Sequence, residues 1–205
     1  MPSVEEFKLR KLTEHDINQV LTWRNSDRIR VNMYTDRLIT VAEHQRWFHR
    51  IKDDATVSYC IVERQSRPIG LINFTQIDRR HSTCIWGFYL GETDLPRGSG
   101  TIMGYLAMKQ AFQELKIRKV SGEVLDYNEG SLKLFRRLGF VEEGRKRQHV
   151  LKNGRYVDVI PFSLLADEWN GREKSRVEQL LQSYERHRSR VVTEEERRVL
   201  SNRPV

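Results

Sequence analysis

Cysteine and long apolar runs are scarce in this 205-residue chain. The two cysteines, Cys60 and Cys84, each lie inside a strand-like apolar run, with no CxxC spacing and no histidine placed to complete a metal site. We therefore expect two buried thiols and no metal. No apolar run approaches the ~20 residues that a membrane span needs, and residues 1–7 lack the basic and apolar regions of a signal peptide. The expected location is the cytoplasm.

Acidic residues are fewer than basic ones: the chain has 28 Asp and Glu against 36 Lys and Arg, which gives a formal net charge of +8. Such an excess attracts anionic partners, among them nucleic acid, a membrane surface or a phosphate-rich cofactor. Much of the excess is dispersed arginine, without the interleaved aromatic residues that mark single-strand binding. We expect neither a nucleic-acid nor a membrane partner. The length fits one domain plus an appendage.

The first half of the chain begins with a half-buried strand at residues 7–12 and a helix that starts near Thr13 and runs through Trp23. Thr40 and Glu43 form an S/T-x-x-E capping box that predicts a second helix. Three β-rich runs with turns between them then predict an antiparallel meander. These strands cover residues 57–62, 69–77 and 83–90.

The second half alternates helices and strands. A Gly-rich loop over residues 91–100 leads into a predicted helix at 101–115, and a helix at 128–138 is expected to end at Gly139. The pair Asn153-Gly154 predicts a hairpin turn. The predicted strands cover residues 119–124, 140–151 and 156–164. The order β, αα, βββ, α, β, α, ββ indicates an α/β fold.

Charged residues dominate from Ala166 onward. We expect one domain over residues 1–165, followed by a charged helical extension or tail over residues 166–205. A thin apolar series interrupts the charge, at Val177, Leu180, Leu181 and Tyr184. Either this stripe docks on the domain or on a second subunit, or the segment is a poorly ordered tail.

The loop Arg97-Gly98-Ser99-Gly100-Thr101 lies between a predicted strand and a predicted helix. Glycines allow a ligand to approach the backbone, and the free N–H groups of a helix N-terminus bind pyrophosphate. A Gly-rich turn of no function is the alternative, since glycine is common in turns. The loop lacks G-x-G-x-x-G in an early βαβ unit and Gly-Lys-Ser/Thr, so neither a Rossmann fold nor a P-loop matches.

A loop of this kind after three antiparallel strands resembles the GNAT superfamily of N-acetyltransferases, and the resemblance runs from about Phe7 to Leu164. Gly98-Ser99-Gly100 matches the second half of the family's Q/R-x-x-G-x-G/A pattern. Leu95 stands at the Gln/Arg place, so Arg97 is expected to supply the cation there. Downstream, Asn128 and Ser131, then Leu134-Phe135 and Leu138-Gly139-Phe140, match the family's N-x-x-S/A, L-Y and L-G-F series.

The resemblance implies an α/β fold with a mixed central sheet flanked by helices, in which the strand before the loop splays from a parallel neighbour. It also implies acetyl-CoA as the only cofactor and transfer of its acetyl group to a primary amine. The expected cofactor-binding residues are Leu90, Arg97, Gly98, Ser99, Gly100, Thr101, Asn128, Ser131 and Phe135.

The chemistry of the transfer needs a base for the amine and an acid for the thiolate. Phe135 replaces the tyrosine that often protonates the thiolate in this family. Either the thiolate leaves without a dedicated acid, or Tyr127 or another hydroxyl substitutes. Glu123 is the candidate base, because a carboxylate in a cleft can have a raised pKa, although a surface carboxylate is the commoner case. Ile85 stands where many relatives carry an acidic residue.

The acceptor amine is suggested by three short motifs in the first two helices and their loop. The spacings W-R-N at 23–25, M-Y at 33–34 and H-x-x-W-F at 44–48 resemble acetyltransferases of bacterial nonulosonic acid pathways. Those enzymes acetylate the 4-amino group of a UDP-linked dideoxy sugar on the way to pseudaminic acid. The expected substrate-binding residues are Arg24, Met33, Tyr34, His44 and Trp47.

This set suits a nucleotide sugar physically. Met33, Tyr34 and Trp47 offer faces for a uracil ring, while Arg24 and His44 suit a diphosphate. A core cluster is the alternative, since Trp47 and Phe48 are adjacent on a helix and face different ways. Two other functions stay open: acetylation of a protein N-terminus or a polyamine, and a non-catalytic acetyl-CoA-binding protein. The stripe that begins at Val177 is compatible with a homodimer.

Overall fold

The computed structural model describes residues 2–183, and a mixed eight-stranded sheet forms its centre. Along the sheet the order is β1-β2-β3-β4-β5-β8-β6, and β7 also pairs with β8. The strands are β1 Phe7–Lys11, β2 Ser58–Arg64, β3 Arg67–Asp78, β4 Thr83–Leu90, β5 Lys119–Leu125, β6 Val141–Glu142, β7 Lys146–Lys152 and β8 Arg155–Leu165.

Helices cover both faces of this sheet. They are α1 Ile17–Asn25, α2 Asp27–Arg30, α3 Val41–Ile51, α4 Ser99–Lys109, α5 Glu129–Leu138 and α6 Ala166–Glu168. A π-helical turn over Gln110–Glu114 extends α4. Another over Trp169–Glu173 extends α6, and the chain stays helical to residue 183. The helix predicted at 101–115 corresponds to α4 and its π-helical turn, and it begins two residues earlier than predicted, at Ser99.

The strands β1 to β4 form the predicted antiparallel meander. β4 and β5 are parallel, and they pair only at Thr83↔Lys119, Cys84↔Val120 and Ile85↔Ser121. Beyond Ile85 the two strands diverge, while β5 continues to pair with β8 as far as Leu125. The mixed sheet and the splayed parallel pair are both confirmed.

Local signals set the ends of two helices. Thr40 and Glu43 make the predicted capping box at α3, with the Thr40 N–H donating to the Glu43 carboxylate at 2.9 Å and the Glu43 N–H donating to the Thr40 hydroxyl at 3.3 Å. Gly139 ends α5 in the left-handed region, with φ of +91°. Both predictions are confirmed.

The C-terminal hairpin turns at Asn153 and Gly154, whose φ angles of +49° and +76° suit the predicted Asn-Gly turn. The single strand predicted over residues 140–151 is wrong, because β6 ends at residue 142 and β7 begins at 146. The Glu143 N–H donates to the Pro161 carbonyl at 2.9 Å, but proline has no N–H to return the bond. The ladder breaks there and resumes after Gly144.

Each face of the sheet carries its own core cluster. Successive residues of a strand point to opposite faces, so Val62 and Ile72 enter the larger cluster under α4 and α5, while Ile61 and Leu71 enter the smaller one under α1 to α3. Cys60 and Cys84 are buried in the larger cluster, as the sequence predicts. None of the helices within residues 2–183 is long and apolar enough to cross a membrane.

The helix over residues 166–183, here called the C-terminal helix, closes the larger core. The Trp169 side chain is 0% exposed, and its ring centroid lies 6.1 Å from that of Tyr105 on α4. Val177 and Leu181 are buried in the same cluster, and Leu180 is partly buried. The apolar stripe therefore packs on the domain. Its fourth predicted member, Tyr184, lies outside the described residues.

Candidate active site

A cavity of about 780 Å³ lies where β4 and β5 diverge and extends beneath α1 to α3. Most of the predicted site residues line it. They are Arg24, Met33, His44, Trp47, Leu90, Gly98, Gly100, Thr101, Glu123, Asn128, Ser131 and Phe135. Three predicted residues, Tyr34, Arg97 and Ser99, do not.

One end of the cavity is the N-terminus of α4. Gly98 caps this helix with φ of +101°, a conformation that favours glycine, and the N–H groups of Gly98 and Gly100 donate to no acceptor among residues 2–183. A Cβ on Gly100 would meet only a Leu90 methyl carbon at 3.9 Å, so open space lies beside it. Free N–H groups at the positive end of a helix form a site for phosphate oxygens.

The cation expected at this end comes from a different place. Arg97 is exposed and lies outside the cavity lining, and Leu95 packs against the larger core cluster. Arg137 lines the cavity instead, and its guanidinium donates to the Thr101 hydroxyl at 3.2 Å. Sequence reasoning missed Arg137, although it follows Leu134 by three residues and so shares a helix face with it.

Ser99 stabilises the Gly-rich loop from the side that faces away from the cavity. Its hydroxyl donates to the Pro96 carbonyl at 2.7 Å, and the side chain is buried away from the cavity. Asn128 both lines the cavity and caps α5, since its side-chain oxygen accepts the Ser131 N–H at 3.1 Å. The cap and the contact with the cavity are thus properties of one residue.

Phe135 lies at the point where the strands part. Its ring passes over Gly122 of β5, where a Cβ would come within 2.5 Å of the ring. Ring centroids of Phe140 and Phe162 lie 4.8 and 5.0 Å from that of Phe135, so it belongs to an aromatic cluster. Tyr127 does not take its place, because its hydroxyl donates to the Val31 carbonyl at 2.6 Å and the residue is off the cavity.

Both oxygens of the Glu123 carboxylate accept hydrogen bonds, one from the Tyr34 hydroxyl and one from the Lys146 ammonium group. Burial favours a higher pKa for Glu123, but the bonds from Lys146 and Tyr34 outweigh it and lower the pKa below its ordinary value. A raised pKa, which a carboxylate in a cleft can have, is therefore not found for Glu123. Tyr34 is 50% exposed outside the cavity, and burial of its hydroxyl with the Glu123 charge raises its pKa.

The other end of the cavity combines aromatic rings with unpaired polar atoms. His44 is 4% exposed and stacks on Trp47 with ring centroids 4.7 Å apart. Burial lowers the pKa of the His44 imidazole below its ordinary value. Its Nε2 atom is buried without a hydrogen-bond partner among the described residues, and so is the Arg24 Nη1 atom. The Arg24 Nη2 atom donates to the Thr35 carbonyl at 2.7 Å and so fixes the guanidinium.

Several lining residues belong to no motif that the sequence analysis identified. Arg28 donates to the Leu90 and Gly91 carbonyls at 3.0 and 2.8 Å and so joins α2 to the end of β4. Further polar side chains come from adjacent strands, where period-2 alternation offers the only signal. They are Tyr59, Asn73 and Tyr89.

The charge of the cavity is strongly one-sided. Its lining includes the guanidinium groups of Arg24, Arg28 and Arg137 but a single carboxylate, that of Glu123, which Lys146 already neutralises. No group of three His, Cys, Asp or Glu side chains in the described part of the chain is placed to hold a metal ion. The site suits anionic groups at both ends.

Two parallel strands that diverge, β4 and β5, with the N-terminus of α4 free to bind phosphate where they separate, are typical of acetyl-CoA-dependent N-acetyltransferases. The family model "Acetyltransferase (GNAT) domain" matches residues 6–141, and the chain belongs to this family. This family assignment indicates an acetyl-CoA-dependent enzyme.

Similar proteins share most of their length with this chain. An uncharacterized N-acetyltransferase, YokL of Bacillus subtilis, is 29% identical over 80% of this chain and 93% of its own. Acetyltransferase PseH of Campylobacter jejuni is 29% identical over 70% and 92%. Spermidine N(1)-acetyltransferase of Escherichia coli is 23% identical over 88% and 97%.

A solved structure shares the fold. The spermidine N-acetyltransferase of Vibrio cholerae, in complex with CoA and spermine, superposes with a TM-score of 0.77 at 21% identity and covers 82% of this chain and 99% of its own. A dodecameric structure is known for the same Vibrio enzyme.

Proposed function

We propose that this enzyme acetylates the primary amine of an anionic, nucleotide-linked amino sugar. The specific candidate is the 4-amino group of a UDP-linked amino-dideoxy sugar in nonulosonic (pseudaminic) acid biosynthesis. The observation that carries the proposal is the charge of the acceptor end, where Arg24 and Arg28 stand without a free carboxylate. A diphosphate supplies the negative charge that these groups lack.

A polyamine carries several ammonium groups and needs carboxylates to receive them. Glu123 is the single acidic residue in the described lining, and Lys146 competes for it. Bringing a polycation beside Arg24 and Arg28 costs free energy, and only Glu123 could offset it. The match to spermidine N(1)-acetyltransferase keeps this acceptor as the second candidate, so the charge of the cavity and not the comparison favours the first.

The unpaired buried nitrogens suggest where the nucleotide lies. Arg24 Nη1 is positioned to donate to the diphosphate and would gain the partner that it lacks, whereas the neutral His44 ring would accept a ligand hydrogen bond at Nε2. Met33 and Trp47 offer apolar surface for the uracil ring. Tyr34 takes no part in this stacking, and its role is the hydrogen bond to Glu123.

At the cofactor end, the N–H groups of Gly98 and Gly100 and the guanidinium of Arg137 would hold the pyrophosphate. Bound acetyl-CoA supplies a thioester carbonyl that a neutral amine can attack. Glu123 is ionised at neutral pH and would accept the amine proton, directly or through a water. Phe135 has no proton to give and Tyr127 lies off the cavity, so the thiolate would take its proton from solvent or from another hydroxyl in the lining.

The test is release of CoA thiol from acetyl-CoA with three acceptors in parallel: UDP-4-amino-4,6-dideoxy-N-acetyl-altrosamine, spermidine and a short peptide amine. We expect fast release with the nucleotide sugar alone. Arg24→Gln should raise the KM for the sugar, whereas Arg50→Gln, outside the cavity lining on α3, should not. Faster turnover of spermidine or the peptide would contradict the proposed acceptor and leave the family assignment intact.

A further inference from the structure

The connection between α2 and α3 is held in an unusual way. Over residues 31–36, here called the acceptor loop, carbonyl groups accept hydrogen bonds from side chains elsewhere in the fold rather than from other backbone groups. Tyr127 donates to Val31, Lys152 to Met33 and Tyr34, Arg24 to Thr35, and Arg30 to Asp36. An irregular segment fixed at so many carbonyls is preorganised.

Lys152 makes the most extensive of these contacts. It lies at the end of β7, beyond the part of the chain that the family model matches, and is 6% exposed. Its ammonium group donates to the Met33 carbonyl, lies 3.4 Å from the Tyr34 carbonyl oxygen, and pairs with the Asp36 carboxylate at 3.3 Å. Lysine is rarely buried unless its donors are satisfied, and three loop oxygens satisfy this one.

The acceptor loop places three groups of the active site. The Met33 side chain lines the cavity, and the Tyr34 hydroxyl binds Glu123. The Thr35 carbonyl fixes Arg24 through one nitrogen, which leaves the other unpaired at the cavity. A shift of this loop would therefore move the apolar face, the contact to the base and the anion-binding guanidinium together.

We propose that Lys152 is a positioning residue that determines affinity for the acceptor amine by fixing the acceptor loop from the C-terminal hairpin. The cofactor end lies across the cavity at the N-terminus of α4, and Lys152 contacts none of it. Loss of the ammonium group therefore weakens acceptor binding and leaves acetyl-CoA binding intact. The inference rests on the proposed acceptor end of the cavity and holds for whichever amine enters there.

The test compares Lys152→Met, which keeps the apolar stem but removes the charge, with Lys152→Arg and Asp36→Asn. Arg155→Met is the matched control, because Arg155 pairs with Lys152 across the hairpin and is exposed. For each variant, KM is measured for the amine that the parent enzyme turns over fastest, and Kd is measured for acetyl-CoA.

We expect Lys152→Met to raise the acceptor KM at least tenfold while the acetyl-CoA Kd stays within twofold. Lys152→Arg should recover part of the loss, Asp36→Asn should show a smaller change in the same direction, and Arg155→Met should resemble the parent. If Lys152→Met does not fold, the acceptor KM and acetyl-CoA Kd of Lys152→Arg and Asp36→Asn provide the test instead. Unchanged acceptor KM, or equal loss of acceptor and acetyl-CoA binding, overturns the inference. Turnover of spermidine in place of the sugar contradicts the proposed acceptor only.

Discussion

The guanidinium of Arg137 donates to the hydroxyl of Thr101 at 3.2 Å and so joins the last turn of α5 to the first turn of α4. This contact brings a cation to the end of the cavity where the free N–H groups of the Gly-rich loop lie. Arg137 forms no ion pair with any residue between 2 and 183, so its charge is available to a ligand.

Arg137→Ala should raise the KM for acetyl-CoA about tenfold and leave kcat nearly unchanged. A hydrogen bond to a charged group contributes about 1.5–3 kcal/mol, and a tenfold change corresponds to about 1.4 kcal/mol. Arg136→Ala is the matched control, since Arg136 is adjacent on α5 but pairs with Glu142 outside the cavity. The role of Arg137 is contradicted if the two variants behave alike in steady-state kinetics.

Gly100→Glu should abolish acetyl-CoA binding and leave the melting temperature unchanged or slightly higher. The new side chain meets no backbone, and a carboxylate in the first turn of α4 is favourable to the helix, yet it repels phosphate groups. Gly98 is a poorer test, because its φ of +101° makes any side chain there strained. Isothermal titration with acetyl-CoA and a thermal melt provide the two measurements. Wild-type affinity in the folded variant would show that the pyrophosphate lies elsewhere.

Glu123→Gln should lower kcat/KM about a hundredfold, as loss of a general base does. Lys146→Met should instead move the acid limb of the pH profile upward. Removal of the Lys146 hydrogen bond and charge leaves only Tyr34 and His149 to oppose burial, so the Glu123 pKa rises and the carboxylate takes up its proton at higher pH.

The pH profile of kcat/KM measures this shift. The control is Lys133→Met, which breaks an exposed pair with Glu129 on α5. An acid limb that stays in place in Lys146→Met would show that Glu123 does not act as the base.

The fold was predictable where the determining interactions are local. The Thr40–Glu43 capping box, the Asn153-Gly154 turn and the end of α5 at Gly139 each depend on residues within four positions of one another. The predicted strand over residues 140–151 failed for the opposite reason. Pro161, which interrupts it, belongs to another strand, and within residues 140–151 Gly144 is a weak local sign of the break.

The site divides in the same way. The Gly-rich loop and the Asn128 to Phe135 series have spacings that indicate a cofactor site. The Tyr34 hydroxyl and the Lys152 ammonium group, in contrast, meet partners far away in the chain. A tyrosine in a loop motif is typical of stacking, and a lysine beside a hairpin turn is typically exposed. Tertiary contacts override both expectations.

Arg10→Met should destabilise the protein in a pH-dependent way. The Arg10 guanidinium pairs with Asp16 at 2.7 Å and with Glu63 at 2.6 Å, and both carboxylate side chains are nearly inaccessible to solvent. Burial would raise their pKa values, but the hydrogen bonds from Arg10 and other donors lower both below the ordinary values. Carboxyls of this kind stabilise the fold above pH ~4, and the contribution is lost as pH falls through their folded-state pKa values.

At pH 7 the expected loss in the free energy of unfolding is about 2–3 kcal/mol, less than the ~3–5 kcal/mol of a fully buried pair because Arg10 is itself partly solvated. The difference from the parent protein should narrow below about pH 4. Urea unfolding at several pH values measures it. Arg67→Met, which breaks exposed pairs with Glu92 and Asp94, should have a far smaller effect. A difference that does not depend on pH would contradict the assignment.

The C-terminal helix has a consequence for how the protein is made. Every residue that lines the cavity precedes residue 138, so the lining is synthesised before the C-terminal hairpin and the C-terminal helix. Trp169, Val177 and Leu181 nevertheless belong to the same core cluster as buried residues of α4 and α5, and Arg176 donates to the Arg137 carbonyl at 2.7 Å. Domains fold as units during synthesis. We therefore expect α4 and α5 to pack stably only after residues 169–181 have been synthesised, and a chain that stops shortly after the C-terminal hairpin to contain every motif but to lack part of its core.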